Sequence, residues 1–181
     1  LLNKALLSLN EFRSHEGVSL AEDFKIRLIN LQTLIDQINK VDPERIEKIE
    51  NKLKASLKEL QIEIDQNRFE QELIYYIEKY DITEEKVRLI NHIEYFTNTM
   101  ENPSSSGKKL GFIAQEMGRE INTIGSKANH AGLQKIVIQM KDELEKIKEQ
   151  LSAALNECEG IILLVEGKDG LKPNDQYLKK L

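Results

Sequence analysis

The spacing of the apolar residues is the feature that most limits what this chain can fold into. Between residues 20 and 38 the apolar side chains recur at steps of three and four, as they do along one face of an α-helix. The same spacing returns in residues 46–60, 68–80, 89–100, 110–124 and 133–155. The sequence therefore predicts an all-α fold, with long amphipathic helices arranged in hairpins or in a bundle.

Capping and breaking residues predict where these helices begin and end. Gly17 interrupts the first apolar pattern, and Asp42-Pro43 is typical of the end of one helix and the start of the next. Thr83 is predicted to cap a later helix, and residues 102–107 form the clearest loop.

The C-terminal residues differ in character from the rest of the chain. The run of residues 161–165, all Ile, Leu or Val, predicts a short buried strand, and the glycines and proline after it predict turns. We therefore predict three regions: a long-helix arm for oligomerisation at 1–80, a helical domain at 81–155, and a short irregular or β-like tail at 156–181. The chain opens within a helical pattern, so we expect it to be part of a longer polypeptide.

Composition narrows the possible partners and the compartment. The formal net charge of -5 argues against a general basic coat for nucleic acid but allows a local basic site. The one cysteine cannot form an internal disulfide, which fits a reducing, cytoplasmic compartment. No apolar run approaches the ~20 residues that cross a bilayer, so no membrane partner is expected.

The helix predicted after residue 107 carries a polar stripe beside its apolar one. The members of the polar stripe, spaced three and four apart, are Glu116, Arg119, Glu120, Thr123 and Lys127. Such a stripe is most often a solvated face with weak ion pairs of about 0.2–0.5 kcal/mol each. Asn122, Thr123 and Ser126 are mediocre helix formers, which favours a role for their hydrogen bonds instead.

Two lysines mark the start of this helix. Lys108 and Lys109 follow Gly107, but Asn102 stands where a P-loop needs its first glycine, so that motif is absent. Residues 107–130 contain four Lys or Arg and two Glu, a local excess of positive charge in an acidic chain. This pattern favours an anion near the helix start.

The preceding helix places Glu85, Arg88 and His92 on one face. A lone His beside an apolar face is more often packed or on the surface than a ligand. Glu and His can also bind a divalent ion, or act as base and acid, when a neighbouring helix supplies the remaining groups. Glu116 and Glu120 could supply them.

Three stretches resemble the YicC-type endoribonucleases of bacteria. They are DITEEKVRLINHIEYF, GKKLGFIAQEMGREINTIGSK and IVIQMKDELEKIKEQ. A fourth stretch, FRSHEGVSLAEDF, resembles the family more weakly. The resemblance covers residues 1–150, which look like the C-terminal portion of that family. Gly111 stands where the family often has Asp, and Gly118 where it often has Asn.

The resemblance implies a metal-dependent endoribonuclease that uses manganese, or alternatively magnesium, forms a ring-like homo-hexamer and cuts single-stranded RNA. Physical inference then assigns roles to the residues. The predicted catalytic residues are His92, Glu85, Glu116 and Glu120, of which Glu116, Glu120 and His92 are the predicted metal ligands. The predicted phosphate-binding residues are Lys108, Lys109, Arg88, Arg119 and Lys127. The alternatives are a helical scaffold or adaptor, and an RNA-binding module without catalytic activity.

Overall fold

The computed structural model describes residues 2–59, 66–102 and 107–165, and every regular element within these ranges is an α-helix. The helices are α1 (Leu2–Glu59), α2 (Gln66–Tyr80), α3 (Thr83–Glu101), α4 (Gly107–Lys127) and α5 (Ala131–Val165). The predicted all-α class is therefore confirmed.

The hydrophobic core lies between the middle of α1 and helices α3, α4 and α5. The predicted apolar stripes supply it: Phe24, Leu28, Leu31, Ile35, Ile38, Leu89, Ile93, Phe96, Leu110, Ile113, Met117, Ile121 and Ile124 are all buried. Phe24 of α1 meets Phe96 of α3 edge to face, with ring centroids 5.7 Å apart. Part of the predicted arm thus shares a core with the predicted helical domain, and the division at residue 80 stays a prediction.

Polar contacts show that α1 and α5 run antiparallel. Near the middle of α1, Arg27 and Asn30 donate hydrogen bonds to Glu143 at 3.3 and 3.0 Å. Further along α1, Lys48 lies 2.9 Å from the ring of His130, just before α5 begins. Burial raises the pKa of Glu143, but hydrogen bonds from Asn30, Lys146 and Arg27 outweigh it and hold the pKa below its ordinary value.

Helix α1 runs through both positions at which the sequence predicted a break, and these predictions are wrong. Gly17 costs about 1 kcal/mol relative to Ala inside a helix, which is too little to end one. Pro43 removes a backbone donor, but Arg45, two residues later, is only 2% exposed and anchors this part of α1 to its neighbours. Its guanidinium pairs with Asp42 at 2.7 Å.

Helix α5 continues to Val165, so the predicted strand at 161–165 is also wrong. A short run of Ile, Leu and Val fits a helix as well as a strand, and here it extends a helix that is already formed. The predicted turns at 166–181 lie outside the described residues.

The start of α3 is held by Asp81 rather than by the side chain of Thr83, which was the predicted cap. One carboxylate oxygen of Asp81 accepts hydrogen bonds from the Thr83 backbone N–H at 3.0 Å and from its hydroxyl at 2.7 Å. The bond from the Thr83 hydroxyl lowers the pKa of Asp81. A carboxylate at this place satisfies a free backbone donor and complements the helix dipole.

Candidate functional site

An ion pair joins the open ends of the α3–α4 hairpin. Lys127, at the end of α4, donates to Glu85 Oε1 at 2.7 Å and to the Asp81 carbonyl at 2.9 Å. Glu85 is 5% exposed, and its second oxygen is buried with no hydrogen-bond partner among the described residues. The pairing brings together two predicted site residues and indicates that they hold the hairpin. Their predicted roles in catalysis and phosphate binding are not tested by it.

The same ion pair fixes which residues face each other along the hairpin. His92 lies seven residues beyond Glu85 on α3, and Glu120 lies seven residues before Lys127 on α4. Because seven residues make nearly two helical turns and the helices are antiparallel, we expect His92 and Glu120 to lie near the same level on the same side of the hairpin. We call the line through Glu85–Lys127 and His92–Glu120 the hairpin seam.

The seam is partly removed from solvent at its middle. Glu120 is 9% exposed and His92 is half-buried. No hydrogen bond or ion pair to another described residue engages either side chain. Because His92 is only half-buried, its imidazole can exchange protons with a ligand at the edge of the seam.

Glu116, the third predicted metal ligand, is engaged elsewhere. It accepts a hydrogen bond from Arg119 at 2.7 Å on the surface of α4. Within residues 2–59, 66–102 and 107–165, no group of three or more His, Cys, Asp or Glu is placed to hold a metal ion. The described residues of one chain therefore do not fit a complete metal centre, and convergence of His92, Glu116 and Glu120 on an ion stays a prediction.

The solvent-exposed side of α4 forms a second feature, which we call the open face. Its members, all exposed, are Lys108, Lys109, Phe112, Gln115, Arg119, Asn122 and Ser126. None of them is a carboxylate: Glu116 lies at the margin, paired with Arg119, and Glu120 is turned toward the core. The open face thus carries three cations in a chain of net charge -5.

The predicted phosphate-binding residues divide by their partners. Lys108 has no ion-pair partner among the described residues, and the Lys109 ammonium lies 4.9 Å from the ring centroid of Tyr95 on α3.

The two arginines among these residues are paired with carboxylates. Arg119 pairs with Glu116, and Arg88 pairs with Glu84 one turn earlier on α3. Exposed pairs of this kind contribute little stability, so either arginine can exchange its carboxylate for a phosphate.

Two aromatic residues beside these cations had no role in the sequence-based assignment. Tyr95 is 48% exposed and Phe112 is 68% exposed. Phe112 follows Lys108 by four residues and lies off the apolar stripe of α4. The position of Phe112 on the polar side of an amphipathic helix is the sequence signal that could have identified it as a binding residue.

Comparison with known proteins places these helices in a family. Residues 38–153 match the family model described as "Endoribonuclease YicC-like, C-terminal". The chain belongs to the YicC-like family. It is similar to the "Probable endoribonuclease YicC" of Clostridioides difficile (strain 630), with 43% identity over 150 residues that cover 81% of this chain and 51% of the relative.

A second YicC relative is more distant. The "Probable endoribonuclease YicC" of Haemophilus influenzae is 30% identical over 139 residues, which cover 77% of this chain and 48% of the relative. The chain thus spans about half the length of the curated YicC proteins that it matches. Among the described helices, none combines the length and apolar character needed to cross a bilayer.

Proposed function

We propose that this chain is part of an endoribonuclease that cleaves single-stranded RNA, with the RNA backbone held along the open face of α4. The observation that carries the proposal is the open face itself, on which Lys108, Lys109 and Arg119 are exposed, while the carboxylate at its margin, Glu116, is paired with Arg119. Lys and Arg at a surface attract phosphates, and in an acidic chain such a local surface is selective. The two YicC relatives, which are both named probable endoribonucleases, support the reaction class.

The hairpin seam supplies groups for the reaction. Cleavage of a phosphodiester forms one P–O bond and breaks another, so the attacking hydroxyl loses a proton and the leaving oxygen gains one. We assign these two transfers to His92 and Glu120, which we expect at one level of the seam. General acid–base catalysis of this kind contributes about 10²–10⁴-fold in rate. Glu85 and Lys127 hold the seam in register.

A divalent ion, manganese or alternatively magnesium, is part of the proposal. Such an ion would stabilise the charge that develops on the phosphate oxygens. His92 and Glu120 could contribute two donors, with further donors from a second copy of the chain. This requirement is separable from RNA binding, since Lys108, Lys109 and Arg119 need no metal to hold phosphates.

We further propose that the protein works in the cytoplasm as a homo-oligomer, with a hexamer as the expected size. Large apolar side chains remain exposed along α1, including Val18, Ile26 and Ile29. They line a helix of 58 residues, much of which extends past the shared core. A second copy of the chain would remove this apolar surface from water. Light scattering combined with size-exclusion chromatography gives the subunit number.

The test of the function uses full-length protein, labelled single-stranded RNA, and a series with manganese, magnesium or EDTA. His92→Ala and Glu120→Gln should bind RNA normally but cleave it about 10²-fold or more slowly. Lys54→Ala, which removes an exposed charge from α1, is the matched control and should cleave at the wild-type rate.

The outcomes separate the three candidate functions. Unchanged cleavage in both seam variants would remove the seam from the mechanism. Wild-type protein that binds RNA without cutting it would be an RNA-binding module, and protein that neither binds nor cuts RNA would favour the adaptor function.

A further inference from the structure

We infer that Tyr95 and Phe112, together with Lys109, form a subsite on which unpaired bases of the RNA stack. The inference rests on the proposed function and adds to it a physical basis for selecting single strands. Tyr95 belongs to α3, and Lys109 and Phe112 belong to α4, so the subsite is assembled by the hairpin.

The exposure of these rings is the first observation. Phe112, at 68%, is the most exposed of the large apolar side chains in the described part of the chain, and Tyr95 is 48% exposed. A phenylalanine held in water makes no contribution to the core. Both rings therefore keep aromatic surface in contact with solvent, where a ligand can reach it.

The cations around the rings indicate which ligand. Lys108 and Lys109 precede Phe112 by four and three residues, so all three side chains are neighbours on the α4 surface. The Lys109 ammonium also lies 4.9 Å from the centre of the Tyr95 ring. Proteins that bind single-stranded nucleic acid combine these two elements, cations for the backbone and aromatic faces for the bases.

Charge complementarity favours RNA over an apolar protein partner for this surface. Lys108, Lys109 and Arg119 are exposed on α4, and the carboxylate at the margin of the open face, Glu116, is already paired with Arg119. Duplex RNA keeps its bases stacked inside the helix and offers only its backbone and grooves. Stacking on Tyr95 and Phe112 would therefore favour unpaired nucleotides.

Helix α2 provides a matched control. Tyr75 is 56% exposed, and its ring centroid lies 6.0 Å from the Lys79 ammonium, so it repeats the pairing of Tyr95 with Lys109. Its ring already packs edge-on against Tyr76, with centroids 5.7 Å apart, and α2 lies outside the α3–α4 hairpin. Tyr75→Ala removes an exposed tyrosine without touching the open face.

The experiment measures binding rather than cleavage. Fluorescence anisotropy of a short labelled single-stranded RNA, in EDTA and at several salt concentrations, gives the affinity of the full-length protein. Tyr95→Ala and Phe112→Ala should each weaken binding by about 5- to 150-fold, the range for losing one stacked base. Tyr95→Phe keeps the ring and should bind as wild type does, whereas Phe112→Leu keeps only the apolar volume and should bind as weakly as Phe112→Ala.

Two further readouts distinguish stacking from charge. A plot of log affinity against log salt has a negative slope, and the aromatic variants should leave this slope unchanged. In Lys108→Ala the slope should become shallower by about 0.7, the amount for one contact to single-stranded phosphate. Affinity for the corresponding duplex RNA should be the same for wild type, Tyr95→Ala and Phe112→Ala.

The results that overturn the inference differ from those that overturn the proposed function. If Lys108→Ala weakens binding but the two ring-deleting variants do not, the open face binds RNA and the stacking subsite is wrong. Equal losses in Tyr75→Ala and Tyr95→Ala, or full affinity in Phe112→Leu, also overturn stacking. If wild-type protein does not bind single-stranded RNA at all, the proposed function fails together with the subsite.

Discussion

Replacing Arg45 with Ala should destabilise the protein more than any change of a surface charge. Arg45 is 2% exposed and donates to the Tyr80 carbonyl at 2.6 Å and the Lys127 carbonyl at 3.1 Å. It also pairs with Asp42. One side chain on α1 thus satisfies carbonyl groups at the ends of α2 and α4.

The magnitude follows from the groups that lose their partner. Breaking a buried ion pair from one side costs about 3–5 kcal/mol. Asp42 keeps a second cation, Lys86 at 3.1 Å, so the lower part of that range applies. The two carbonyls left without Arg45 keep the loss well above that of an exposed pair. We expect Arg45→Ala to lower the free energy of unfolding by about 3–4 kcal/mol, which corresponds to a fall of about 6–15 °C in Tm.

The assay is urea denaturation followed by circular dichroism, at one fixed protein concentration because assembly also stabilises the fold. Arg45→Met retains much of the aliphatic stem and should still lose about 2 kcal/mol or more, which isolates the polar contacts from packing. Lys54→Ala, on the same helix, breaks an exposed pair and should change stability by about 0.5 kcal/mol or less. A loss for Arg45→Ala no larger than that of Lys54→Ala would refute the reasoning.

Two glycines of α4 should respond oppositely to alanine. A Cβ added at Gly111 would meet no atom within 4 Å, so Gly111→Ala should raise the free energy of unfolding by about 1 kcal/mol. A Cβ added at Gly125 would lie 3.0 Å from a methyl group of buried Val137, so Gly125→Ala should lower the free energy of unfolding by about 1–3 kcal/mol. Urea denaturation of both variants checks the difference, and the same sign for both would contradict it. Stability should also fall on acidification through Glu143: because its pKa is lower in the folded state, the unfolded chain binds more protons as pH drops. The contribution is complete above the ordinary carboxyl pKa and is lost as pH falls through the lowered one. Between pH 7 and pH 3, the free energy of unfolding should therefore fall less in Glu143→Gln than in wild type. Equal falls in the two proteins would show that Glu143 does not contribute to this pH dependence.

Sequence reasoning succeeded where one helix face decides the outcome. The stripes through Phe24, Phe96 and Met117 were predicted from spacing alone, and these residues are buried. It failed at Pro43 and at residues 161–165, where a local signal for a break or a strand competes with the continuation of a long helix. Local propensities differ by about 1–3 kcal/mol, which contacts elsewhere in the fold can offset.

The candidate site shows the same division. Spacing placed Glu85 and His92 on one helix face and Glu120 and Lys127 on another, but not the distance or level at which the faces meet. The structure makes Glu85 and Lys127 partners of each other in an ion pair. Exposure, which separates Glu120 from its neighbours on the polar stripe, depends on how α4 is rotated against α3.

The order of residues in this chain determined that it is helical, which side of each helix is apolar and where positive charge is concentrated. These properties follow from residues a few positions apart, which any helix brings together. Packing alone decided that Arg45 is buried, that Glu120 is turned inward and that Tyr95 meets Lys109. Such contacts join residues far apart in the chain, so their geometry depends on every helix that packs between them.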